Sequence, residues 1–240
     1  LMEGATEVSC SAFGDALTEK QIQNVVTHIK TFADCDAWPR GELNLPRALF
    51  TTKAFPEDEL VLSTALTTHG LDKLNNKIIY ERRIGPTTQV EFVLPFGWNT
   101  VEESDGHTEW TSGVGDIALA AKQVLFHGLG SGSIVSVGGE VVLPTGDEDE
   151  GLGDGTTVLE PYLAFGQLLP AEFFLQGQVG AKFPTKEHRS NNEVFWRGLA
   201  GRTFGLGTYE SSWSPMVEFL GSQNLEKDED ARWDVVPQLQ

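Results

Sequence analysis

Polar and apolar side chains alternate along several stretches of the second half of the sequence. Successive side chains of a β-strand point to opposite faces, so the polar residues of each stretch share one face. If such strands close into a barrel, carboxylates and a lysine inside its lumen could select a permeant by charge. Alternatively, these side chains could pair with one another and with Arg197 or Arg202 and fill a narrow interior. The lumen-lining candidates are Glu91, Glu140, Glu160, Tyr162, Gln176, Gln178, Lys182 and Glu218.

An acidic run between two of these stretches is the one candidate for a metal site. Asp147, Asp149 and Asp154 offer the oxygen ligands that calcium prefers. The EF-hand pattern needs Gly at its sixth position and Glu at its twelfth, and counting from Asp147 these positions hold Leu152 and Val158. The EF-hand is therefore excluded, and a weak calcium loop or a solvated loop remains open.

Sequence signatures of catalysis are absent. The chain contains no GxSxG, HExxH or P-loop motif. Glu140 and Glu160 could serve as an acid and base pair, but paired carboxylates are common inside β-barrels. We therefore expect that the protein is not an enzyme. The 5 histidines occur singly and without ligand spacing, at His28, His69, His107, His127 and His188.

The charge balance excludes nucleic acid as the expected partner. The 240 residues carry 17 Lys and Arg against 35 Asp and Glu, which gives a net charge of −18 and a pI of about 4.5. Binding to phosphates requires a basic surface. No apolar run approaches the roughly 20 residues of a membrane helix, so a membrane crossing would have to use strands.

The first part of the chain predicts one amphipathic helix. Thr18 can cap this helix with Gln21 in the capping-box position, and apolar residues recur at helical spacing from Ile22 to Phe32. Residues 12–18, 21–22 and 25–32 resemble the last helix of a class I cytochrome c domain. The resemblance implies that 1–36 is the C-terminal helix of a truncated cytochrome c-like domain, and a linker follows over 37–57.

The haem chemistry of that family is not expected in this chain. Where the family has a Met-Pro pair whose methionine ligates iron, the sequence has Cys10 and Ser11, and no CxxCH motif occurs. Haem c is therefore expected only in a segment upstream of this chain. Cys10 and Cys35 either pair or remain free thiols. His28 lies on the polar side of the helix and is expected to be solvated.

From about residue 58 the helical period gives way to alternation with a period of two. The pattern predicts about ten strands, many of them close to the roughly 9–11 residues of a tilted membrane strand. We therefore expect a mainly β fold, an antiparallel up-and-down membrane β-barrel over 58–240 preceded by a short α-helical segment.

The links between the strands favour a barrel over a sandwich. Short links without charge alternate with long polar links that hold most of the net negative charge. In an up-and-down meander this places tight turns at one rim and long loops at the other, as in outer-membrane barrels; a Greek-key sandwich does not require it. The short links are 85–87, 128–132, 168–171 and 205–209, and the long links are 98–112, 146–156, 185–192 and 222–230.

Two motifs in this half carry a family resemblance. Residues 112–117, SGVGDI, begin one strand, and residues 139–147, GEVVLPTGD, end the next. Together with Lys122, residues 152–155 and Glu160-Pro161, they are similar to the signature of the phenol-degradation MetA-pathway outer-membrane family over roughly 58–240. The resemblance implies a barrel in the outer membrane, with the N-terminal segment in the periplasm, that passes or binds small and often hydrophobic compounds.

Two functions from different classes follow. The first is a channel or binding protein for uptake or export of small compounds, with outer-membrane lipid, lipopolysaccharide and a small-molecule permeant as partners and no cofactor in this chain. The second is a soluble periplasmic β-domain attached to the cytochrome c-like remnant, serving binding or electron transfer. The start at Leu1 and the stop at Gln240, inside an alternating strand, lead us to expect a piece of a longer protein with twelve barrel strands.

Overall fold

The computed structural model describes residues 17–30, 43–67, 72–102, 108–186, 190–206, 211–225 and 230–240. The chain divides into two compact units, Leu1–Trp38 and Pro39–Gln240. Residues 12–16 and 31–32 of the cytochrome c-like resemblance, as well as Cys10 and Cys35, lie outside the described residues.

The described part of the first unit is one helix, α1, Glu19–Lys30. It begins where the sequence predicts because Thr18 and Gln21 form the capping box. The Thr18 backbone N–H donates to Gln21 Oε1 over 2.8 Å, and the Gln21 N–H donates to Thr18 Oγ1 over 3.4 Å. His28 is exposed on this helix. Within the described residues, no helix has the length and apolar character needed to cross a membrane.

The second unit is built on antiparallel strands, as alternation in the sequence predicts. Thirteen strands are described: β1 Glu59–Thr67, β2 Lys73–Ile84, β3 Thr88–Glu102, β4 Thr108–Val114, β5 Ile117–Gly128, β6 Ser133–Leu143, β7 Val158–Leu168, β8 Phe173–Pro184, β9 Glu193–Arg202, β10 Phe204–Leu206, β11 Ser211–Trp213, β12 Pro215–Asn224 and β13 Arg232–Leu239. The main sheet has the order β1-β2-β3-β5-β6-β7-β8-β9-β12-β13, with β4 paired to β3. The predicted mainly β, antiparallel, up-and-down architecture is confirmed.

Two of the predicted links are wrong in part. The long link 98–112 contains strand at both ends, because β3 continues to Glu102 and its second half pairs with β4. The short link 205–209 lies within a longer connection, because β10 and β11 form a small hairpin of their own. Phe204 stacks on Trp213 across this hairpin, with 4.9 Å between ring centroids. Period-two reasoning missed both features because these strands extend past the alternating runs.

The ends of the meander are the two outer strands, β1 and β13. Among the described residues no backbone ladder joins them, so the closure of the sheet into a barrel, and its count of twelve strands, stay predictions. The tight turns after β2, β5 and β7 lie at one end of the strands, called here the short-turn rim. The connections 144–157 and 185–192 lie at the opposite end, called here the long-link rim.

The apolar faces of the strands point outward and the polar faces point inward. On β7, Leu163 and Phe165 are 47% and 46% exposed, whereas Tyr162 and Ala164, which alternate with them, are 9% and 1% exposed. Buried Gln89 on β3 likewise lies beside exposed Val90. This arrangement is the reverse of a soluble domain, in which apolar side chains fill the interior.

An irregular stretch, residues 43–57, fills the inner side of the sheet and is called here the inner segment. It belongs to the expected linker, of which residues 37–42 lie outside the described residues. Most of its residues are buried, including Leu43, Phe55 and Glu57. It has no helix or strand, so its backbone groups need partners other than a ladder. The inward-pointing side chains of the sheet supply them.

Candidate functional site

The inner segment is held by side chains from strands all around the meander. Its backbone contacts come from β3, β5, β6, β8, β9, β12 and the residue after β13. Arg47 adds β1 and β2 through Glu59 and Glu81, and Leu45 lies close to Gly166 of β7. A 15-residue stretch can meet this many strands only if the sheet curls around it.

Glu218 of β12 makes the densest of these contacts. It is 0% exposed, and its carboxylate accepts hydrogen bonds from three successive backbone N–H groups, those of Leu49 at 3.2 Å, Phe50 at 3.2 Å and Thr51 at 2.7 Å. Gln238 Nε2 donates to the same carboxylate. Successive N–H groups that converge on one anion form a concave anion-binding site. Glu218 therefore fixes the path of the inner segment at this bend.

Arg197 and Gln178 hold the next residues of the bend. Arg197 Nη1 donates to the Phe50 carbonyl over 2.5 Å and to Gln178 Oε1 over 3.1 Å, and Gln178 Oε1 also accepts from the Thr52 N–H over 3.1 Å. On the same strand as Gln178, Gln176 Nε2 donates to the Pro46 carbonyl over 2.7 Å. Three of the predicted inward-facing residues, Gln176, Gln178 and Glu218, thus bind the inner segment.

Residues 53–55 of the inner segment are held by a buried ammonium group and a buried hydroxyl group. Lys122 Nζ donates to the carbonyls of Lys53 and Phe55 over 2.6 and 2.9 Å, and Ser136 Oγ donates to the Ala54 carbonyl over 2.5 Å. Lys122 is only 4% exposed. Burying a charge is costly unless it is hydrogen-bonded, so these contacts account for a lysine in the middle of a strand.

Arg47 is the centre of an ionic cluster beside the open edges of the meander. Its guanidinium pairs with Glu57 over 3.0 Å and also with Glu59 of β1 and Glu81 of β2. Its backbone N–H donates to the side chain of Gln240 over 2.9 Å. Through these contacts Arg47 connects β1 to the chain end that follows β13, where the backbone ladder is missing.

Glu57 is shared between two cations. Lys53 Nζ lies 2.5 Å from its carboxylate, and Asn44 accepts from the same ammonium over 2.5 Å. Burial raises the pKa of the Glu57 carboxyl above its ordinary value, against the opposing effects of Lys53 and Arg47. The Glu57 N–H donates to Gln89 over 2.7 Å, which fixes the end of the inner segment just before β1.

Acidic residues form a row along the inner face of the sheet, called here the acidic row. Cross-strand register places Glu59 opposite Glu81, Glu81 opposite Glu91, and Glu140 opposite Glu160, with Ala120 between Glu91 and Glu140. Lys182 on β8 lies 3.8 Å from Glu160 and 3.9 Å from Glu193 of β9. The row is made of Glu59, Glu81, Glu91, Glu140, Glu160 and Glu193.

A cavity of about 380 Å³ lies between the inner segment and the inner face of the sheet and is called here the inner cavity. Of the predicted lumen-lining residues, the structure brings six to it, and Gln176 and Glu218 are not among them. Arg197 lines it too, whereas Arg202 lies near the short-turn rim against the Phe173 ring. The six are Glu91, Glu140, Glu160, Tyr162, Gln178 and Lys182.

An apolar cluster lies on the short-turn side of the inner segment. Leu45 and Ala48 of the segment pack with Phe174, Leu199 and Met216 of the sheet. These sheet residues come from the ends of β8, β9 and β12 nearest the short-turn rim. The cluster and the inner segment fill part of the interior toward that rim. A cavity of about 730 Å³ lies beside them at that end, lined among others by Lys53, Glu57 and Ser214.

Another cavity, of about 310 Å³, adjoins the inner cavity beneath the connection 144–157. Lys77, Pro95, Asp116 and Val142 line both cavities. Asp116 holds the connection in place, because its carboxylate accepts from the N–H groups of Gly146 over 2.8 Å and Asp154 over 2.7 Å. The two cavities therefore share a wall, and the second lies nearer the long-link rim.

The acidic residues considered for calcium lie in this connection. Asp147 Oδ1 accepts from the N–H groups of Asp149 and Glu150 over 3.0 and 3.3 Å, which is the turn-forming role usual for aspartate. Calcium binding there stays a prediction. In the described part of the chain, the carboxylates of Glu57, Glu59 and Glu81 are the group close enough to share an ion, and the Arg47 guanidinium lies among them.

Sequence reasoning missed the inner segment and the cations that serve it. Residues 43–57 follow neither a helical nor a strand period, so no periodic signal could place them inside the sheet. Arg47, Lys53 and Glu81 were missed with them. Lys122 did carry a signal, because a lysine on the polar face of a predicted strand has to find a partner in the interior.

A family model matches residues 72–232, which is more than half of the chain. No curated protein matches the chain. The matched region runs from the start of β2 to the start of β13 and includes most of the strands that enclose the inner segment. The chain therefore belongs to the family described as "Putative MetA-pathway of phenol degradation".

Proposed function

We propose that this protein is an outer-membrane β-barrel that binds small compounds in a charged interior and mediates their uptake or export. The inner segment occupies the barrel interior on the side of the short-turn rim, and the inner cavity lies between this segment and the acidic row. The observation that carries the proposal is the inversion of the strand faces, with apolar side chains outside and polar ones inside. No catalytic step and no cofactor in this chain form part of it.

The apolar outer surface has the height that a membrane requires. On β8 it runs from Phe173 to Phe183 through Leu175 and Val179, all exposed. At about 3.3 Å per residue and a tilt of roughly 40°, this length of strand spans about 25 Å of membrane, which is the height of the apolar band on outer-membrane barrels. Soluble monomers rarely expose apolar patches larger than a few hundred Å², so we assign hydrocarbon chains of lipid as the occupant of this surface.

Exposed tryptophans near both rims support the same placement. Trp98 and Trp110 lie near the long-link rim on β3 and β4, and Trp233 lies there at the start of β13. Trp213 lies at the opposite rim, at the end of β11. Aromatic girdles at the two interfaces are typical of membrane barrels. Lipid and lipopolysaccharide are therefore the partners that we propose for this surface.

The barrel proposed here closes between β1 and β13. A cavity of about 440 Å³ separates the two strands, and residues of both strands line it together with Arg47, Ala48 and Leu49. Arg47 already bridges this gap through Glu59 and Gln240. Unsatisfied strand edges are costly in a bilayer. The inner segment therefore helps to join β1 to β13 as well as filling the interior.

A substitution on the outer face separates a membrane protein from a soluble one. In Leu163→Arg a charge replaces an exposed residue in the middle of β7. At the bilayer midplane this costs about 2–4 kcal/mol, but near an interface only about 0–1. Leu129→Arg, in the exposed turn after β5, is the matched control.

The experiment is folding of the chain into lipid vesicles, read from heat-modifiable gel mobility, together with fractionation of cells between outer membrane and periplasm. We expect the wild type and Leu129→Arg to fold into vesicles and Leu163→Arg to fold at least tenfold less. Recovery in the periplasmic fraction, with equal behaviour of the two variants, would instead favour the soluble periplasmic β-domain with a role in binding or electron transfer.

A further inference from the structure

The acidic row is neutralised at its two ends by cations of the chain. Arg47 pairs with Glu59 and Glu81 at one end, and Lys182 lies close to Glu160 and Glu193 at the other. Like charges directly opposite on one face of a sheet destabilise it. Each part of the row therefore needs a positive charge, and the chain provides one at both ends.

The middle of the row has no cation at salt-bridge distance among the described residues, and Lys77 and Arg197 line the same cavity farther away. Glu91 and Glu140 form no salt bridge within 4.0 Å in the part of the chain that the structure describes. They flank Ala120 across β5, whose short side chain leaves the space between the two carboxylates open. All three residues line the inner cavity. The position between Glu91 and Glu140 is thus negative and open to the cavity.

A buried hydroxyl in the same cavity also lacks a partner. Thr51 is 3% exposed and lines the inner cavity, and its Oγ1 has no hydrogen-bond partner among the described residues. Buried polar atoms in folded proteins are nearly always hydrogen-bonded. A donor on a molecule inside the cavity would satisfy Thr51 Oγ1, so this atom points to a ligand independently of the acidic row.

The size and lining of the cavity favour an organic cation over a metal ion. At about 380 Å³ it falls within the range of small-molecule sites, roughly 300–1,000 Å³, whereas one water accounts for about 30 Å³. Ile79, Val93 and Val142 add apolar surface to its wall. Calcium prefers six to eight oxygen ligands, more than Glu91, Glu140 and Thr51 offer together.

We propose that the inner cavity binds a small organic cation, an ammonium group on an apolar body, with its charge between Glu91 and Glu140 and one N–H donated to Thr51 Oγ1. The apolar body lies against Ile79 and Val142. This inference rests on the proposed function, because it names the class of compound that the interior takes. Neutral and anionic molecules of the same shape lack the charge that the middle of the row requires.

The test is calorimetric titration of the whole chain in detergent micelles with benzylammonium chloride, benzyl alcohol, sodium benzoate and calcium chloride in turn. We expect benzylammonium to bind at least tenfold more tightly than the other three, a factor equivalent to about 1.4 kcal/mol. Glu91→Gln and Glu140→Gln should each weaken benzylammonium at least tenfold. Glu193→Gln, in the same row but outside the cavity lining, should stay within twofold of wild type.

Heat-modifiable mobility of each variant establishes that it folds. If a glutamate variant does not fold, Thr51→Val takes its place as the cavity variant. Equal binding of benzylammonium, benzyl alcohol and benzoate would overturn the cation class while leaving a small-compound site in place. Calcium binding more tightly than benzylammonium would overturn the organic class. If none of the four binds, both the inference and the small-compound part of the proposed function fail, whereas the vesicle-folding test addresses the membrane placement separately.

Discussion

Glu218 is the residue on which the position of the inner segment depends most directly. Its buried carboxylate accepts from the N–H groups of Leu49, Phe50 and Thr51 and from the side chain of Gln238. Glu218→Gln keeps the shape of the side chain but removes the charge and replaces one acceptor oxygen with a donor. The side-chain NH2 group of the glutamine, which is a donor, then faces backbone N–H groups, which are donors too. We therefore expect the inner segment to detach more often while the sheet stays folded.

The size of the effect follows from the number of bonds. A hydrogen bond to a charged group contributes about 1.5–3 kcal/mol and a neutral one about 0.5–1.5 kcal/mol. The loss is roughly 1 kcal/mol for each of the three backbone bonds, or about 3 kcal/mol together. Since about 1.4 kcal/mol corresponds to a factor of ten, the population of the detached segment should rise about 100-fold.

Limited digestion with trypsin measures this population. Arg47 and Lys53 are trypsin sites inside the inner segment, and Lys53 is buried. When opening and closing are fast relative to cleavage, the cleavage rate follows the open population. In Glu218→Gln, cleavage after these residues should be about 100-fold faster than in wild type. The matched control is Glu109→Gln, at an exposed position of β4, which should leave the rate unchanged.

The same digestion can also exclude a holding role for Glu218. A Glu218→Gln protein that retains heat-modifiable mobility but is cleaved within threefold of the wild-type rate would show that Glu218 does not hold the segment. Planar-bilayer recordings give a second readout, because a detached segment clears the interior toward the short-turn rim. We expect single-channel conductance to be larger or more frequent in Glu218→Gln than in wild type and Glu109→Gln.

Three further predictions concern stability in detergent, measured by thermal loss of heat-modifiable mobility. Arg47→Met should destabilise the fold by about 3 kcal/mol, because it leaves three carboxylates without their shared partner, and an unchanged midpoint would contradict the bridging role. Gly138→Ala should cost about 1–3 kcal/mol, since a Cβ there would lie 2.3 Å from the Tyr162 ring, whereas Gly198→Ala, with nothing within 4 Å, should be nearly neutral. Burial raises the pKa of Glu57 from 4.5, so the folded chain binds this proton more tightly than the unfolded chain. The resulting stability is full below the unfolded pKa and is lost as pH rises from there through the raised pKa, and Glu57→Gln should reduce this decline.

Alternation in the sequence was sufficient to predict the strands and the division of their faces. In β7, Leu163 and Phe165 fall on one face and Tyr162 on the other, as the period of two requires. Such a pattern cannot say which face is inside, because a soluble sheet and a membrane barrel share it. The alternation of short and long links favoured a barrel and so placed the polar faces inside, and the exposures in the folded chain agree with that direction.

The site could be predicted only in part. Residues on polar strand faces, such as Glu91 and Glu140, were placed in the interior by their spacing, and they do line the inner cavity. The inner segment could not be predicted, because side chains remote in sequence satisfy its irregular backbone. Glu218 and Thr51 are 167 residues apart. Contacts of this kind depend on how the sheet curls, and strand periodicity carries no information about that.

The central claim is that the apolar faces of the strands contact lipid while the polar faces enclose the inner segment. Adjacent β7 residues, Leu163 and Ala164, test it, because one is exposed and the other is 1% exposed. In a background with Cys10 and Cys35 replaced by serine, nitroxide labels on Leu163→Cys and Ala164→Cys would be measured in vesicles for collision with oxygen and with a water-soluble nickel complex. If Leu163 faces lipid, the label at 163 collides mainly with oxygen, as in hydrocarbon, and the label at 164 is shielded from oxygen. Frequent collision of the 163 label with the nickel complex, at a rate typical of an aqueous surface, would contradict the account.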